Sequence, residues 1–526
     1  MIVGAGHNGL TCAAYLARSG LRVLVVERRD RVGGAADTAE IAPGVRAPVV
    51  AHTVGRLRRS VIRDLDLERH GLRLVRPEML ALSLHPEGRA VRLWADPERT
   101  ARDLASWSGR DAEAWVGFDR KVRALASLMA WLNAMTPPDL RSPSMADAMS
   151  GLRLGRALRR LGSRAHLREA IRVLPTAVAD FCEDHLESDA VRGAVAAGAV
   201  HLTAMGPRSA GTTAVLLSGI AGTGVGAAGQ STFAIGGPGS VGDALAASAR
   251  SFGAELRCGA EVERILTPGD RAAGIVLGGG EEITARVVVS GADPKRTLLG
   301  LVDPEVLGPT LGWRAGNIRT RGTVSKVNLA LDGLPEFAVA AGERGTALLS
   351  GRVLVGATGI GDLERAFDTS KYGEVPDRPF VEATIPTLSD PTLAPDGTHV
   401  VSATVQWTPF TLRHGSWDDE RERLGDMVVA AFEEHAPGFA ARVSARRVLT
   451  PPDLERDYGL TGGHPLHAEP GLDQFFAWRP MPGAARYRLP VPGLYLCGSG
   501  AHPGGGITGA PGANAAREIL SDLRRR

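Results

Sequence analysis

The first thirty-four residues hold the residue types and spacings that could bind a nucleotide. Gly4, Gly6 and Gly9, with His7 and Asn8 between them, form a Gly-x-Gly-x-x-Gly turn between the apolar run Met1-Ile2-Val3 and an Ala-rich, proline-free stretch at 10–19. Gly4 turns the chain sharply out of a strand, Gly6 lets backbone approach a pyrophosphate, and Gly9 lets a helix pack close to a sheet. The helix that follows offers unpaired N–H groups and a partial positive charge to the phosphates. A second apolar run at 22–26 ends on Glu27. A carboxylate there can accept both hydroxyls of an adenosine ribose and would repel a 2′-phosphate. The stretch therefore predicts an adenine dinucleotide without that phosphate. In a chain with 66 glycines, the placement between two strand signals carries the reading more than the glycines themselves.

The next turn, Arg28-Arg29-Asp30-Arg31-Val32-Gly33-Gly34, has an acid followed by a Gly-Gly pair. It resembles the second phosphate-binding turn of two-dinucleotide-domain flavoproteins, which selects FAD over NAD. Near the other end, residues 493–496 read as a strand, Cys497 to Gly500 as a small-residue turn, His502-Pro503-Gly504-Gly505-Gly506 as a tight loop, and 507–520 mostly as a helix. Again a strand feeds a glycine loop and a helix N-terminus, which can face a polar or anionic part of the ligand. No second complete Gly-x-Gly-x-x-Gly unit is evident, so a separate NAD(P) domain is not expected.

The elements that must position these turns read as α/β: a Rossmann-type FAD-binding domain interleaved with a mixed-sheet and helical substrate or cap domain. The FAD-binding parts are expected at 1–75, 231–300 and 471–526, a largely helical cap at 76–230, and the rest of the substrate domain at 301–470. Helical patterns run over 55–68 and 97–135, the latter ended by Pro137-Pro138. A strand meander spans 262–290, and Val287 to Pro294 returns the chain to the nucleotide domain. Strands at 324–331 and 399–406 and a helix at 417–434 belong to the second pass through the substrate domain.

Composition excludes several classes. Hydrophobic residues at 44%, charged residues at 23% and a net charge of +3 describe a soluble globular protein without a nucleic-acid partner. Cys12, Cys182, Cys258 and Cys497 stand singly, against a dithiol centre or structural zinc, so no metal is expected and a reducing, cytoplasmic compartment is. The uncharged window 209–242 holds too much glycine for a spanning helix and reads as a buried loop and short helix near a cofactor or apolar ligand. Residues 151–174 form a basic amphipathic pattern, read first as a surface helix with solvated arginines and second as a peripheral contact with an anionic membrane. Met1 already lies inside the first strand, so a start further upstream, with or without a targeting segment, is the expectation.

Residues 2–34, 287–294 and 493–520 resemble the phytoene desaturase family of FAD-dependent oxidoreductases, related to the amine oxidase clan, and within it the branch of pyridine nucleotide-disulfide oxidoreductase domain-containing protein 2. The resemblance rests on Gly-Ala-Gly-His-Asn-Gly at 4–9, Leu472-Asp473-Gln474, Arg479-Pro480, and Leu-Tyr-Leu-Cys-Gly-Ser-Gly-Ala-His-Pro-Gly-Gly-Gly at 494–506. It covers most of the chain, the middle by order and length. Without a C-x-x-C, disulfide chemistry does not follow from that branch's name. The resemblance implies one FAD held by Gly4, Gly6, His7, Asn8, Gly9, Glu27, Arg28, Gly33 and Gly34. Val262 would lie beside the adenine, Gly498 and Ser499 near the ribityl and phosphate part, and Gly505, Gly506 and Ile507 near the isoalloxazine ring.

The same resemblance implies dehydrogenation of an apolar or lipid-like substrate by hydride transfer to flavin N5, with electrons passing to quinone or oxygen. A flavin-dependent double-bond isomerase and a regulatory or scaffold flavoprotein with structural FAD are the alternatives. An amine oxidase, whose substrate cage uses paired aromatics, has little support in a chain with 5% aromatic residues. His502, beside the glycine loop, is the catalytic candidate, able to orient a ring atom or relay a proton. His464, His467, Tyr458, Trp478 and Tyr487 are candidates for a pocket wall.

Overall fold

The structure is a computed structural model that describes residues 1–138, 164–340 and 345–525. Four short apolar runs, Ile2–Val3, Leu24–Val26, Val288–Ser290 and Leu494–Leu496, pair in parallel with Glu255–Arg257. The order is Leu494–Leu496, Val288–Ser290, Ile2–Val3, Leu24–Val26, Glu255–Arg257. The central strands are buried on both faces, as parallel strands covered by helices must be, whereas the edge strand Glu255–Arg257 alternates exposed charge with a half-buried leucine. The sheet is thus assembled from three distant stretches of chain.

The helix His7–Arg18 packs against both Gly239–Ser251 and Ala510–Arg525. That closeness depends on glycine. A Cβ at Gly9 would fall 2.2 Å from the Gly4 carbonyl oxygen, and one at Gly512 would fall 2.1 Å from that of Asn8. Beside this unit lies an antiparallel meander of Val262–Leu266, Gly274–Leu277 and Glu282–Thr284.

A seven-stranded sheet forms the second layer, in the order Val443–Leu449, Val324–Asp332, Thr398–Gln406, Val381–Thr384, Arg352–Val355, Met79–His85, Arg89–Trp94. Arg352–Val355 and Met79–His85 run parallel, and the other neighbours antiparallel. Alternation decides its faces. Val327, Leu329, Val401, Ala403, Val405 and Val381 join an apolar core with Leu424, Val428 and Phe432 of the helix Trp417–Glu433. The opposite positions carry Lys326, Thr404 and Glu382, and these too are buried. Helices Gly109–Ala134, Asp189–Val200 and Thr212–Ile220 build a separate apolar core against the outer strands.

The helical pattern at 97–135 is two helices, Pro97–Leu104 and Gly109–Ala134, because Ser108 caps the second by accepting from the Asp111 amide. The pattern at 55–68 shortens to Arg59–Asp64. Within the basic stretch, 151–163 lies outside the described residues. The remainder is the helix Arg164–Val173, whose Arg172 pairs with Glu169 and Asp184. Among the described residues no helix is long and apolar enough to cross a membrane; the uncharged window forms the short helix Thr212–Ile220 and a glycine-rich loop.

Because the Gly4 carbonyl has no room to retreat, Gly9→Ala should lose about 1–3 kcal/mol of stability through forced repacking, read as a lower urea midpoint. An unchanged midpoint would show that the strand and helix are not locked at this contact.

Candidate active site

Two cavities meet at Val50, Ala51, Leu202, Leu466 and Gly506. The first gathers the glycine turns together with polar and apolar side chains. Gly4, Gly6, His7, Asn8, Gly9, Glu27, Arg28, Gly34, Val262, Gly498, Ser499, Gly506 and Ile507 all line it. Gly6 is the N-cap of the first helix and supplies no side-chain cap, so the amides of that turn face the cavity. His7 Nε2 and Asn8 Oδ1 have no partner in the protein, while Asn8 Nδ2 donates to Ser499 Oγ at 3.1 Å. Burial pushes His7 down to about 4, which keeps it neutral.

The two glycine turns are tied together. Gly33 N–H donates to the Ala5 carbonyl at 2.9 Å, and Gly33 supports the wall from behind; Gly34 reaches it. Glu27 is buried, and its carboxylate accepts from the Ala5 amide at 2.7 Å and the Arg29 amide at 3.0 Å. Arg28 donates to the Arg456 carbonyl. Tyr458 also lines this cavity, beneath the Arg29 guanidinium, which stands 4.6 Å from its ring centre. These groups fit a dinucleotide: free amides and orphaned polar atoms beside the helix start, a fixed carboxylate at the end of the second strand, and a glycine wall with room for phosphates.

The expectation for His502 is corrected by its surroundings. It lines neither cavity; its Nε2 lies 3.0 Å from the Leu132 carbonyl, its ring meets Phe476 edge-on at 5.3 Å, and burial pushes it down to about 3. It holds the glycine loop against the helix Gly109–Ala134. Of the other aromatic and histidine candidates, His467 lines the nucleotide cavity, whereas His464 bonds Glu469, Tyr487 is fully buried under Asn514, and Trp478 is half exposed.

The second cavity is built from side chains. Ala194, Val195 and Gly198 come from one helix, and Ala214, Val215 and Leu216 from the next; Gly504, Gly505 and Gly506 border the nucleotide side. Opposite them stands a cluster that sequence reading missed. Glu382 Oε2 accepts from Arg352 at 3.0 Å, while Oε1 lies 3.1 Å from His52 Nε2 and 3.5 Å from His201 Nε2. Lys326 Nζ lies 2.9 Å from His52 Nδ1 and 3.3 Å from Thr404 Oγ1. Burial pushes Lys326 down to about 7 and His52 to about 3, and also lowers His201. Burial opposes ionisation of Glu382, but the Arg352 charge and the hydrogen bond from His52 outweigh it and hold the carboxyl well below the usual range. His52, His201 and Glu382 place three ligand-type atoms within 4.8 Å of one another. With Arg352 and Lys326 already on the outer atoms of that trio, it is arranged as a hydrogen-bonded ion network more than as a cation cage.

Residues 2–65 match the NAD(P)-binding Rossmann-like domain family. The chain is 36% identical, over 100% of its length and 93% of the relative's, to pyridine nucleotide-disulfide oxidoreductase domain-containing protein 2 of Rattus norvegicus. It is 26% identical to the neurosporene-forming phytoene desaturase of Rhodobacter capsulatus, covering 98% of this chain and 92% of that one. Its fold is similar to that of cyclohexylamine oxidase from Brevibacterium oxydans, with a TM-score of 0.58, 19% identity, and coverage of 100% and 99%.

A Cβ at Gly6 meets nothing within 4 Å and its φ is −65°, so the fold tolerates a methyl that projects into the space of the cavity. Gly6→Ala should therefore keep its unfolding free energy within about 0.5 kcal/mol yet lose FAD on gel filtration, read as the ratio of flavin to protein absorbance. A second expectation concerns Lys326, which titrates near 7 when folded and in the ordinary lysine range when unfolded. Between those values the unfolded chain binds the extra proton, so stability rises with pH by up to about 1.4 kcal/mol per unit. The urea midpoint should climb above about pH 7 with a component that Lys326→Met lacks; parallel profiles would remove the lysine from the account.

Proposed function

Because the chain belongs to the family of pyridine nucleotide-disulfide oxidoreductase domain-containing protein 2 and is an FAD-dependent oxidoreductase, we propose that it dehydrogenates an apolar or lipid-like molecule, with the electrons passing on to a quinone or oxygen. The observation that carries this reading is the small-residue, largely apolar cavity that joins the nucleotide cavity at Gly506. When bound, FAD supplies a two-electron acceptor of hydride at N5.

The chain's own part is to bind, orient and deprotonate. Ala194, Val195, Ala214 and Leu216 exclude water along the cavity wall and hold an extended apolar body by burial alone. His201 is the proton acceptor in this reading. It lines the cavity, its Nδ1 has no partner, burial keeps it neutral, and Glu382 stands behind Nε2 to stabilise the imidazolium once formed. Loss of a hydride from one carbon and a proton from its neighbour leaves a C=C bond. Leu472, at the cavity wall, and nearby Trp478 are exposed apolar groups, which supports entry of the substrate from a membrane surface.

The test is an anaerobic visible spectrum of the flavin-loaded protein before and after a lipid extract of its source is added. Bleaching of the oxidised flavin band is the expected outcome, and His201→Asn should slow it by about 100-fold or more, the scale of a lost general base. Flavin that stays oxidised with every fraction of the extract would exclude dehydrogenation of a lipid.

A further inference from the structure

Arg56 is a half-buried cation that no ion pair among the described residues answers. It lines the second cavity, and its guanidinium lies so close to Gly506 that a Cβ on that glycine would fall 2.3 Å from Nη1. Among the described residues no ion pair or hydrogen bond reaches it, and Nε is sealed from solvent without a partner. Burial lowers it only to about 10, so it stays charged at neutral pH. A guanidinium left without a counter-charge at a cavity wall is a ready partner for an anionic ligand.

The cavity does not supply one. Among the described residues Glu382 is the one carboxylate in its lining, and both of its oxygens are engaged, by Arg352 on one side and by the two histidines on the other. Arg479, the third guanidinium of the wall, donates through Nη2 to the carbonyls of Leu466 and Ser499 and leaves its Nε without a partner. With His52 and His201 neutral, the wall thus carries an excess of positive charge, and Arg56 is the member without a partner. Ala194, Val195, Ala214, Val215, Leu216 and Ile220 of the helices Asp189–Val200 and Thr212–Ile220 give the lining an apolar stretch, which offers a hydrocarbon body a place.

We propose that this cavity takes a long-chain carboxylate, its head group paired with Arg56 and its chain laid along the two apolar helices. The proposal rests on the reading of this cavity as the substrate chamber and narrows it from lipid-like molecules to acids. Gly506 borders both cavities, so the acid's head lies toward the cofactor and its tail away from it. A guanidinium gives a carboxylate two parallel N–H donors, which a hydroxyl or an amine cannot use.

The test is calorimetric titration of the FAD-loaded protein with dodecanoate, 1-dodecanol and dodecylamine, each below its aggregation threshold. Dodecanoate should bind at least tenfold more tightly than dodecanol, with dodecylamine weakest. Arg56→Met should abolish the preference for the acid while keeping the binding of dodecanol, and Arg56→Lys should retain part of it. Arg56→Met breaks no ion pair or hydrogen bond among the described residues, so the variant is expected to fold and to keep its melting temperature. Equal binding of acid and alcohol, no binding of dodecanoate, or an acid preference that survives in Arg56→Met would each overturn the proposal. If Arg56→Met instead alters FAD affinity and leaves the acid preference intact, the guanidinium serves the cofactor and the proposal fails. Loss of the preceding reading shows separately, as FAD-loaded protein whose flavin stays oxidised with every lipid fraction; calorimetry reads the acid preference in that case as well.

Discussion

The peptide groups around Ala5 tie the nucleotide cavity together. The Ala5 amide donates to Glu27 at the end of the second strand, and its carbonyl accepts from Gly33 in the second glycine turn. Three segments, separated in the chain by a helix and a strand, are thereby fixed to one another by backbone groups. The cavity wall needs that arrangement where its glycine turns present backbone: side chains can shift by changing rotamer, but amides hold their places only if their neighbours do. The tight contacts at Gly9 and Gly512 serve the same end, seating the first helix so that its free amides stay aimed at the cavity.

The seven-stranded sheet solves a different problem. One face is conventional, with valines and leucines against the helix Trp417–Glu433. The other carries Lys326, Glu382 and Thr404 into a buried space, where an isolated charge would be costly. The cost is contained by linking them: Arg352 to Glu382, Glu382 to His52, and His52 to Lys326, with Thr404 closing the end. Each member of such a chain is held by the next, which makes it a rigid wall as well as a charged one.

This difference explains what could be read in the amino-acid sequence. The glycine turns at 4–9 and 504–506 were legible because few other residues can take the conformations they need; Gly4 has φ of +92° and Gly506 of +102°. The acid ending the second strand stands at a fixed distance from the first turn, so it was legible too. His52, His201, Arg352 and Glu382 were not. They sit in four elements up to 330 residues apart, and a strand such as Val381–Thr384 alternates polar and apolar residues in the way of any sheet with one wet face. Only the register, which sets Glu382 beside Thr404 and Thr404 beside Lys326, shows that this face is dry. His502 misled for the converse reason. Adjacency to a glycine loop in sequence says nothing about which way a ring turns, and here it turns into the core toward Leu132.

The two cavities also differ in how freely they can change. At the first glycine turn of the nucleotide cavity a Cβ at Gly9 would strike the Gly4 carbonyl oxygen. The second cavity is bounded by side chains such as Ala194, Val195, Ala214 and Leu216, each on the inner surface of a helix whose backbone bonds do not depend on them. Exchanging one for a larger or smaller apolar residue alters the volume by a methylene or two and leaves the helix intact, at a cost that cores commonly absorb. The charged network marks the limit of that freedom, because removing one partner leaves another buried and unpaired. The shape of the apolar body is thus adjustable in this fold, while each group of the Glu382 network is tied to a partner that its exchange would leave unpaired.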